Sequence, residues 1–263
     1  MPIACLCRRF PGGNVFASSR GFQIRYQVFG AGPALVLLHG FPMWGDRWQD
    51  TGYVAELESQ YQVIVPDLLG HGQSDRPHQP AAYGVPNMAS DVIAVLDAAG
   101  VDRAHVWGYS MGAIVAEALA VSAPGRVLSL VLGGFPPGLD REQRLSVLWS
   151  ELPQTWDDLL GGYPPPICET FRAYDDDLEA LLAAAALIGD FPTTVADMQS
   201  APHPTLAYIG ADDGRTELAR QQCDALPCRL EIVPGDHALA FRQAGNILPL
   251  AMRHLEAAGA IAV

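Results

Sequence analysis

The stretch Ala104-His105-Val106-Trp107-Gly108-Tyr109-Ser110-Met111-Gly112-Ala113-Ile114-Val115-Ala116 decides how this chain folds. A short apolar run, Ala104 to Trp107, enters a Gly-x-Ser-x-Gly pentapeptide, and an apolar helical stretch, Met111 to Ser122, leaves it. A strand that turns straight into a helix must bend so tightly that the central serine takes a strained backbone. A Cβ at either flanking glycine would clash across the turn. The result is a hydroxyl at the tip of the turn with a helix N-terminus just behind it.

Working outward, other short apolar runs end in loops rich in polar residues and glycine. Ala34 to Leu38 runs into His39-Gly40-Phe41-Pro42, and Tyr61 to Val65 into Pro66-Asp67-Leu68-Leu69-Gly70-His71-Gly72-Gln73-Ser74-Asp75. Val127 to Leu132 follows the pentapeptide. Thr205 to Ile209 then ends in Gly210-Ala211-Asp212-Asp213, and Leu230 to Val233 in Pro234-Gly235-Asp236-His237. From residue 33 these runs alternate with helical stretches, which predicts a parallel sheet covered on both faces. Val85 to Ala99 shows the helical period: Met88, Val92, Val95/Leu96 and Ala99 share a face, and Gly100 stops it. Upstream, Asn14 to Ser18 and Phe22 to Val28 flank Ser19-Arg20-Gly21 and read as a β-hairpin on an antiparallel edge.

The chain has 263 residues, 49% hydrophobic and 17% charged, enough for one large domain with a buried core. Its net charge of −13 argues against nucleic acid or an anionic membrane as partner, since both demand clustered Lys and Arg. No apolar run approaches the ~18 residues that span a bilayer. Met1 to Phe10 carries its arginines after the apolar stretch rather than before it, unlike a signal peptide, so a cytoplasmic location is expected. The five cysteines, Cys5, Cys7, Cys168, Cys223 and Cys228, include no CxxC pair and read as scattered, reduced thiols. No metal-ligand spacing is found.

In order along the chain, HGFP, DLLGHGQSD, GYSMG, GADD and GDH resemble the motifs of the α/β-hydrolase family, over about residues 13 to 258. The resemblance implies that fold, a mostly parallel twisted sheet with helices on both faces and a short helical lid. It divides the chain into a tail (1–12), a core (13–135 and 201–263) and a lid insertion (136–200). In the insertion the strand–helix alternation stops, prolines accumulate, and Arg141 to Leu152 and Leu178 to Ile188 read as helices. Asp175-Asp176-Asp177 precedes the second of these as an N-terminal cap.

A serine hydroxyl needs an adjacent base, itself held by a third group. On this fold the chain order is Ser, then Asp or Glu, then His. That order makes Ser110 the nucleophile and leaves His237 and His254 as bases. His254 falls within Leu250 to Ala258, the last helix, as a packing or surface residue. His237 follows a strand in a loop at the sheet's carboxyl edge, where such sheets bind ligands. Asp212 and Asp213 both end the seventh strand, and the family pattern of Gly, two residues, Asp favours Asp213. Asp236 reads as a loop-shaping residue. The oxyanion donors are the N–H of Met111, after the nucleophile, and that of Phe41, because Pro42 has none to give. His39 is expected to shape the Phe41 loop.

Gly70 to Asp75 lacks the lysine of a P-loop and the third glycine of a dinucleotide fingerprint, so it reads as a tight turn below the site. Trp44, Trp149 and Trp156 are candidates to line an apolar substrate pocket. The resemblance implies a hydrolase for a small-molecule substrate, needing no cofactor and no metal, with a small or medium apolar carboxylic ester as first choice. Lactone opening, carbon–carbon bond hydrolysis and cofactor-free perhydrolysis keep the same triad. A non-hydrolytic ligand-binding protein is the alternative of a different class. Serine at 110, where epoxide hydrolases and haloalkane dehalogenases of this fold carry aspartate, argues against those two activities.

Overall fold

The computed structural model describes residues 15–148, 155, 157, 177–191 and 193–261. Among the described residues eight strands form one sheet, in the order β1-β2-β4-β3-β5-β6-β7-β8. The hairpin of β1 (Val15–Ser19) and β2 (Phe22–Phe29) is the antiparallel edge expected, turning through Arg20 and Gly21 at positive φ. β2 also runs antiparallel to β4 (Gln62–Pro66). The remaining pairings, through β3 (Ala34–Leu38), β5 (Ala104–Tyr109), β6 (Val127–Gly133), β7 (Thr205–Gly210) and β8 (Cys228–Val233), are parallel.

β3 lies between β4 and β5, so the chain leaves it in one direction and later returns on its other side. Loops that part at such a switch point open a crevice at the strands' carboxyl ends. The loop after β3 and the turn at Ser110 after β5 both emerge there.

Alternation along the strands builds a core on each face. Val36, Leu38 and Val106 pack with helices α3 (Val85–Ala98) and α4 (Met111–Ser122) on one side. Their neighbours Leu35, Leu37 and Trp107 join Trp48 of α1 (Arg47–Asp50), Tyr53 of α2 (Tyr53–Leu57) and Phe241 on the other. Gly100, at φ +70°, caps α3 as the sequence indicated.

Within 136–200 the described helices are α5 (Arg141–Leu148), α6 (Leu178–Ala185) and α7 (Val195–Ser200). α6 is shorter than expected: the chain turns at Ala186, where Leu187 N–H reaches back to Ala184. Asp177 caps α6 by accepting from Ala180 N–H at 3.0 Å, while Asp175 and Asp176 lie outside the described residues. Leu139, Ala183, Ala184, Ile188 and Met198 join the same core cluster as Met111 and Val115, so these parts of the insertion pack into the body. A buried ion pair reinforces this, with Arg144 of α5 3.4 Å from Glu117 of α4. Burial pushes the Glu117 carboxyl up to about 7, despite Arg144 and the Gly138 N–H it accepts.

Two sequence expectations change. β8 starts at Cys228, two residues before the expected Leu230. Cys223 and Cys228 are not scattered: helix α8 (Thr216–Ala225) delivers the first beside the start of β8, and the two sulfurs lie 2.7 Å apart. Cys5, Cys7 and Cys168 lie outside the described residues. Among the described residues no helix is long and apolar enough to cross a membrane, and no cluster of His, Cys, Asp or Glu could hold a metal ion.

Candidate active site

Ser110 sits between β5 and α4 at φ 54°, ψ −114°, a conformation rare for a residue with a side chain. Its N–H is held by Gly133 O at 2.8 Å, which fixes the turn to β6. Both flanking glycines are required, for different reasons. A Cβ on Gly108 would stand 2.1 Å from Gly112 O, across the turn. A Cβ on Gly112 would stand 2.1 Å from Leu38 O, on β3, so this glycine answers to the neighbouring strand and not, as the sequence reading had it, to the turn.

His237 is not in a loop. It opens a short helix, α9 (His237–Arg242), whose N-cap is Asp236, accepting from Leu239 N–H at 2.7 Å. The loop-shaping duty expected of Asp236 is therefore a capping duty. From this position His237 Nε2 lies 3.1 Å from Ser110 Oγ, and Nδ1 lies 3.0 Å from Asp213 Oδ2. A carboxylate can only accept, so Nδ1 carries the proton and Nε2 is left as the acceptor facing the serine. Of the two adjacent aspartates, Asp213 is buried and meets the imidazole, while Asp212 is exposed.

The sequence reading missed Arg215. Its Nε donates to Asp213 Oδ1 at 2.8 Å and its Nη2 to Oδ2 at 2.9 Å, a two-pronged clamp on the buried carboxylate. Arg215 N–H adds a third bond to Oδ1 at 3.1 Å. With His237 on Oδ2, the acceptor capacity of Asp213 is filled. Burial opposes its ionisation, but the hydrogen bonds from His237 and Arg215 outweigh burial and hold the carboxyl well below the usual carboxylate range. For His237 burial dominates and lowers the pKa; Asp213 works against this and the Arg215 charge adds to it. Neutral imidazole beside a carboxylate is the form a general base requires. Tyr109 is a second residue without a clear sequence signal: its hydroxyl donates to the backbone carbonyl of His237. The Tyr109 ring lies 5.3 Å from the imidazole.

The loop after β3 presses against the serine: a Cβ on Gly40 would meet Ser110 Cβ at 3.2 Å. This brings the backbone at Gly40 and Phe41 to the nucleophile on one side, while Met111 opens α4 on the other. The first N–H groups of a helix have no partner inside it, and Met111 is the first residue of α4. His39 does shape the loop. Its Nδ1 bonds Gly40 O at 3.0 Å and its Nε2 accepts from Leu68 N–H at 2.9 Å. Burial holds this imidazole neutral. The segment Gly70 to Asp75 braces the same loop, with His71 against the rings of both His39 and Phe41. Asp67 completes the brace by accepting from Gly45 N–H at 2.7 Å and Gln73 N–H at 2.9 Å. Trp44 is buried, with the Arg47 guanidinium over its ring, and Trp149 and Trp156 lie outside the described residues.

A sequence model of the α/β-hydrolase fold matches residues 33–167. The chain belongs to that family. Solved structures superpose over most of its length. One is a hydrolase from Pseudomonas aeruginosa, with TM-score 0.75 and 27% identity, over 94% of this chain and 99% of that one. Another is a thermophilic esterase from Thermogutta terrifontis, with TM-score 0.76 and 22% identity over the same shares. An uncharacterised protein of Mycobacterium tuberculosis is 29% identical over 204 residues, 76% of this chain and 57% of its own length. A pimeloyl-[acyl-carrier protein] methyl ester esterase of Aeromonas hydrophila is 42% identical over 115 residues, 44% of this chain and 42% of the esterase. Mouse epoxide hydrolase 4 is 30% identical over 139 residues, 51% of this chain and 38% of that protein. The matched stretches thus span little more than half of these relatives at most.

Proposed function

We propose that this chain is a serine hydrolase that cleaves a small or medium apolar carboxylic ester through an acyl-enzyme. The observation that carries the reading is the unbroken line from Ser110 Oγ to His237 Nε2 at 3.1 Å and from Nδ1 to Asp213 at 3.0 Å. Both separations are those of working hydrogen bonds. His237 takes the Ser110 proton as Oγ attacks the carbonyl carbon, and Asp213 stabilises the imidazolium that forms. The oxyanion is received by the N–H groups of Met111 and Phe41. His237 then protonates the departing alcohol, and water, activated by the same imidazole, releases the acid.

Relatives named as an esterase and as an epoxide hydrolase pull the reading in two directions. Serine at the elbow favours the first. A neutral hydroxyl needs a base to attack, and His237 stands where that base must be. In this reading the insertion sets the size of the acyl or alcohol group.

The test is a panel of p-nitrophenyl esters of rising chain length, together with an activated phosphonate. The expected result is turnover of the shorter esters and one phosphonate adduct, on the peptide containing Ser110. An adduct on another residue, or no hydrolysis of any ester, overturns the proposal.

A further inference from the structure

Cys223 lies in the last turn of α8 and Cys228 opens β8, with only Asp224 to Pro227 between them. Their sulfurs are 2.7 Å apart, within about an ångström of the bonded S–S distance of roughly 2.05 Å. The turn that brings them together is itself hydrogen-bonded, Cys228 N–H to Leu226 O at 2.7 Å. Cys223 is buried among its neighbours, while Cys228 is half-buried and lines a small pocket with Met198, His203, Thr205 and Pro227. One thiol is thus open to a small reagent and the other is shielded behind it. The hydrogen bond between the two sulfurs, and after it burial, push the Cys223 thiol up, while the same hydrogen bond pushes the Cys228 thiol down. Cys228 is therefore the more readily ionised of the two.

We propose that Cys223 and Cys228 are a redox-modification site, closing to an intramolecular disulfide on exchange with a small-molecule disulfide of the glutathione class. Cys228 thiolate attacks one sulfur of the external disulfide, forms a mixed disulfide and expels one thiolate. Cys223, deprotonated in turn, attacks Cys228 Sγ and expels the second. The protein loses two protons and two electrons, and the external disulfide is reduced to two thiols. The closed form staples α8 to β8. Asp213 stands just ahead of α8 and His237 just beyond β8, so the staple ties the two segments that carry the acid and the base at the end remote from both. The site does not depend on the hydrolase reading, because its readout is covalent and needs no substrate.

Both cysteines fall in one tryptic peptide, Gln221 to Arg229. The folded protein is equilibrated with oxidised glutathione or with dithiothreitol, quenched in acid, alkylated with iodoacetamide and digested. The expected result after oxidation is that peptide lighter by two hydrogens and free of alkyl groups. After reduction it should carry two alkyl groups. The closed form should melt about 5 °C higher, and Cys228→Ser should show no redox-dependent shift. A doubly alkylated peptide after oxidation overturns the proposal. So does a glutathione adduct that never resolves, or a link to a peptide containing Cys5, Cys7 or Cys168. Closure with no rise in melting temperature overturns the stapling.

Discussion

The two halves of the proposed catalytic constellation are built differently. Ser110 stands near the middle of the sheet, between β3 and β6, where backbone crowds backbone: Gly108 against Gly112, Gly112 against Leu38, Gly40 against Ser110. Asp213 and His237 hang from the last two strands, and β8 is the sheet's edge. There the geometry is set by side chains, with the Arg215 fork on one carboxylate, a cap on α9 and the Tyr109 hydroxyl on a carbonyl. Backbone crowding tolerates almost no substitution and is written in glycines. Side-chain bracing tolerates graded change and is written in residues that could have served elsewhere.

The largest expected effect lies on the crowded side. Ser110→Ala should reduce kcat by about 10⁶-fold on any good ester, and abolish the phosphonate adduct, while leaving the melting temperature near that of the parent. Asp213→Asn should cost about 10⁴-fold in kcat, because it favours the wrong imidazole tautomer, whereas the exposed Asp212→Asn should change kcat less than about twofold. Equal losses at the two positions would mean that the braced side is not organised around one acid.

Gly112→Ala tests the backbone contact without touching a reacting atom. A Cβ 2.1 Å from Leu38 O forces β3 and α4 apart, with an expected loss of about 3 kcal/mol or more by urea unfolding. A stable variant would show that the elbow is looser than its spacing. On the braced side Arg215→Gln should act through pH. On the proposed mechanism activity needs neutral His237, whose pKa burial lowers from the ordinary histidine value, so the acid limb of kcat/KM should lie below that of a free imidazole. Arg215 contributes to that lowering, so its removal should move the limb to higher pH, with roughly a tenfold loss on the plateau from the freed carboxylate. A limb that stays in place would reduce Arg215 to packing. The smallest effect expected is that of Tyr109→Phe, a severalfold loss in kcat and about 1–2 kcal/mol in stability from the unpaired carbonyl of His237.

The same contrast explains what the sequence made legible. The elbow at Ser110 and the alternation of strands and helices follow from glycines and apolar runs, because steric exclusion leaves a mark at fixed spacing. His237 was found by its place after a strand, although its helix was not: six residues, His237 to Arg242, are too few to show a period. Asp213 and Asp212 were separated only by the resemblance, since nothing local distinguishes two neighbouring carboxylates until one is buried. The Arg215 clamp depends on how the turn folds back over Asp213, and the contact between Cys223 and Cys228 on where α8 lies against β8, neither of which single-residue chemistry encodes. In the insertion, nothing sets Arg144 apart from its neighbour Arg141 in the sequence, yet Arg144 alone is wholly buried against Glu117.

One consequence of this layout concerns how the site assembles. Asp213 and His237 are 24 residues apart along the chain, whereas Ser110 and His237 are 127 apart. Closing the longer loop costs about 1.5 kcal/mol more chain entropy than closing the shorter one. On the proposed mechanism the acid–base dyad is thus a near-neighbour contact that forms once β7, α8 and β8 associate, while the nucleophile joins it across β5 and β6. Refolding followed by ester turnover therefore reports the longer of these two closures, and the dyad alone reports only its own corner.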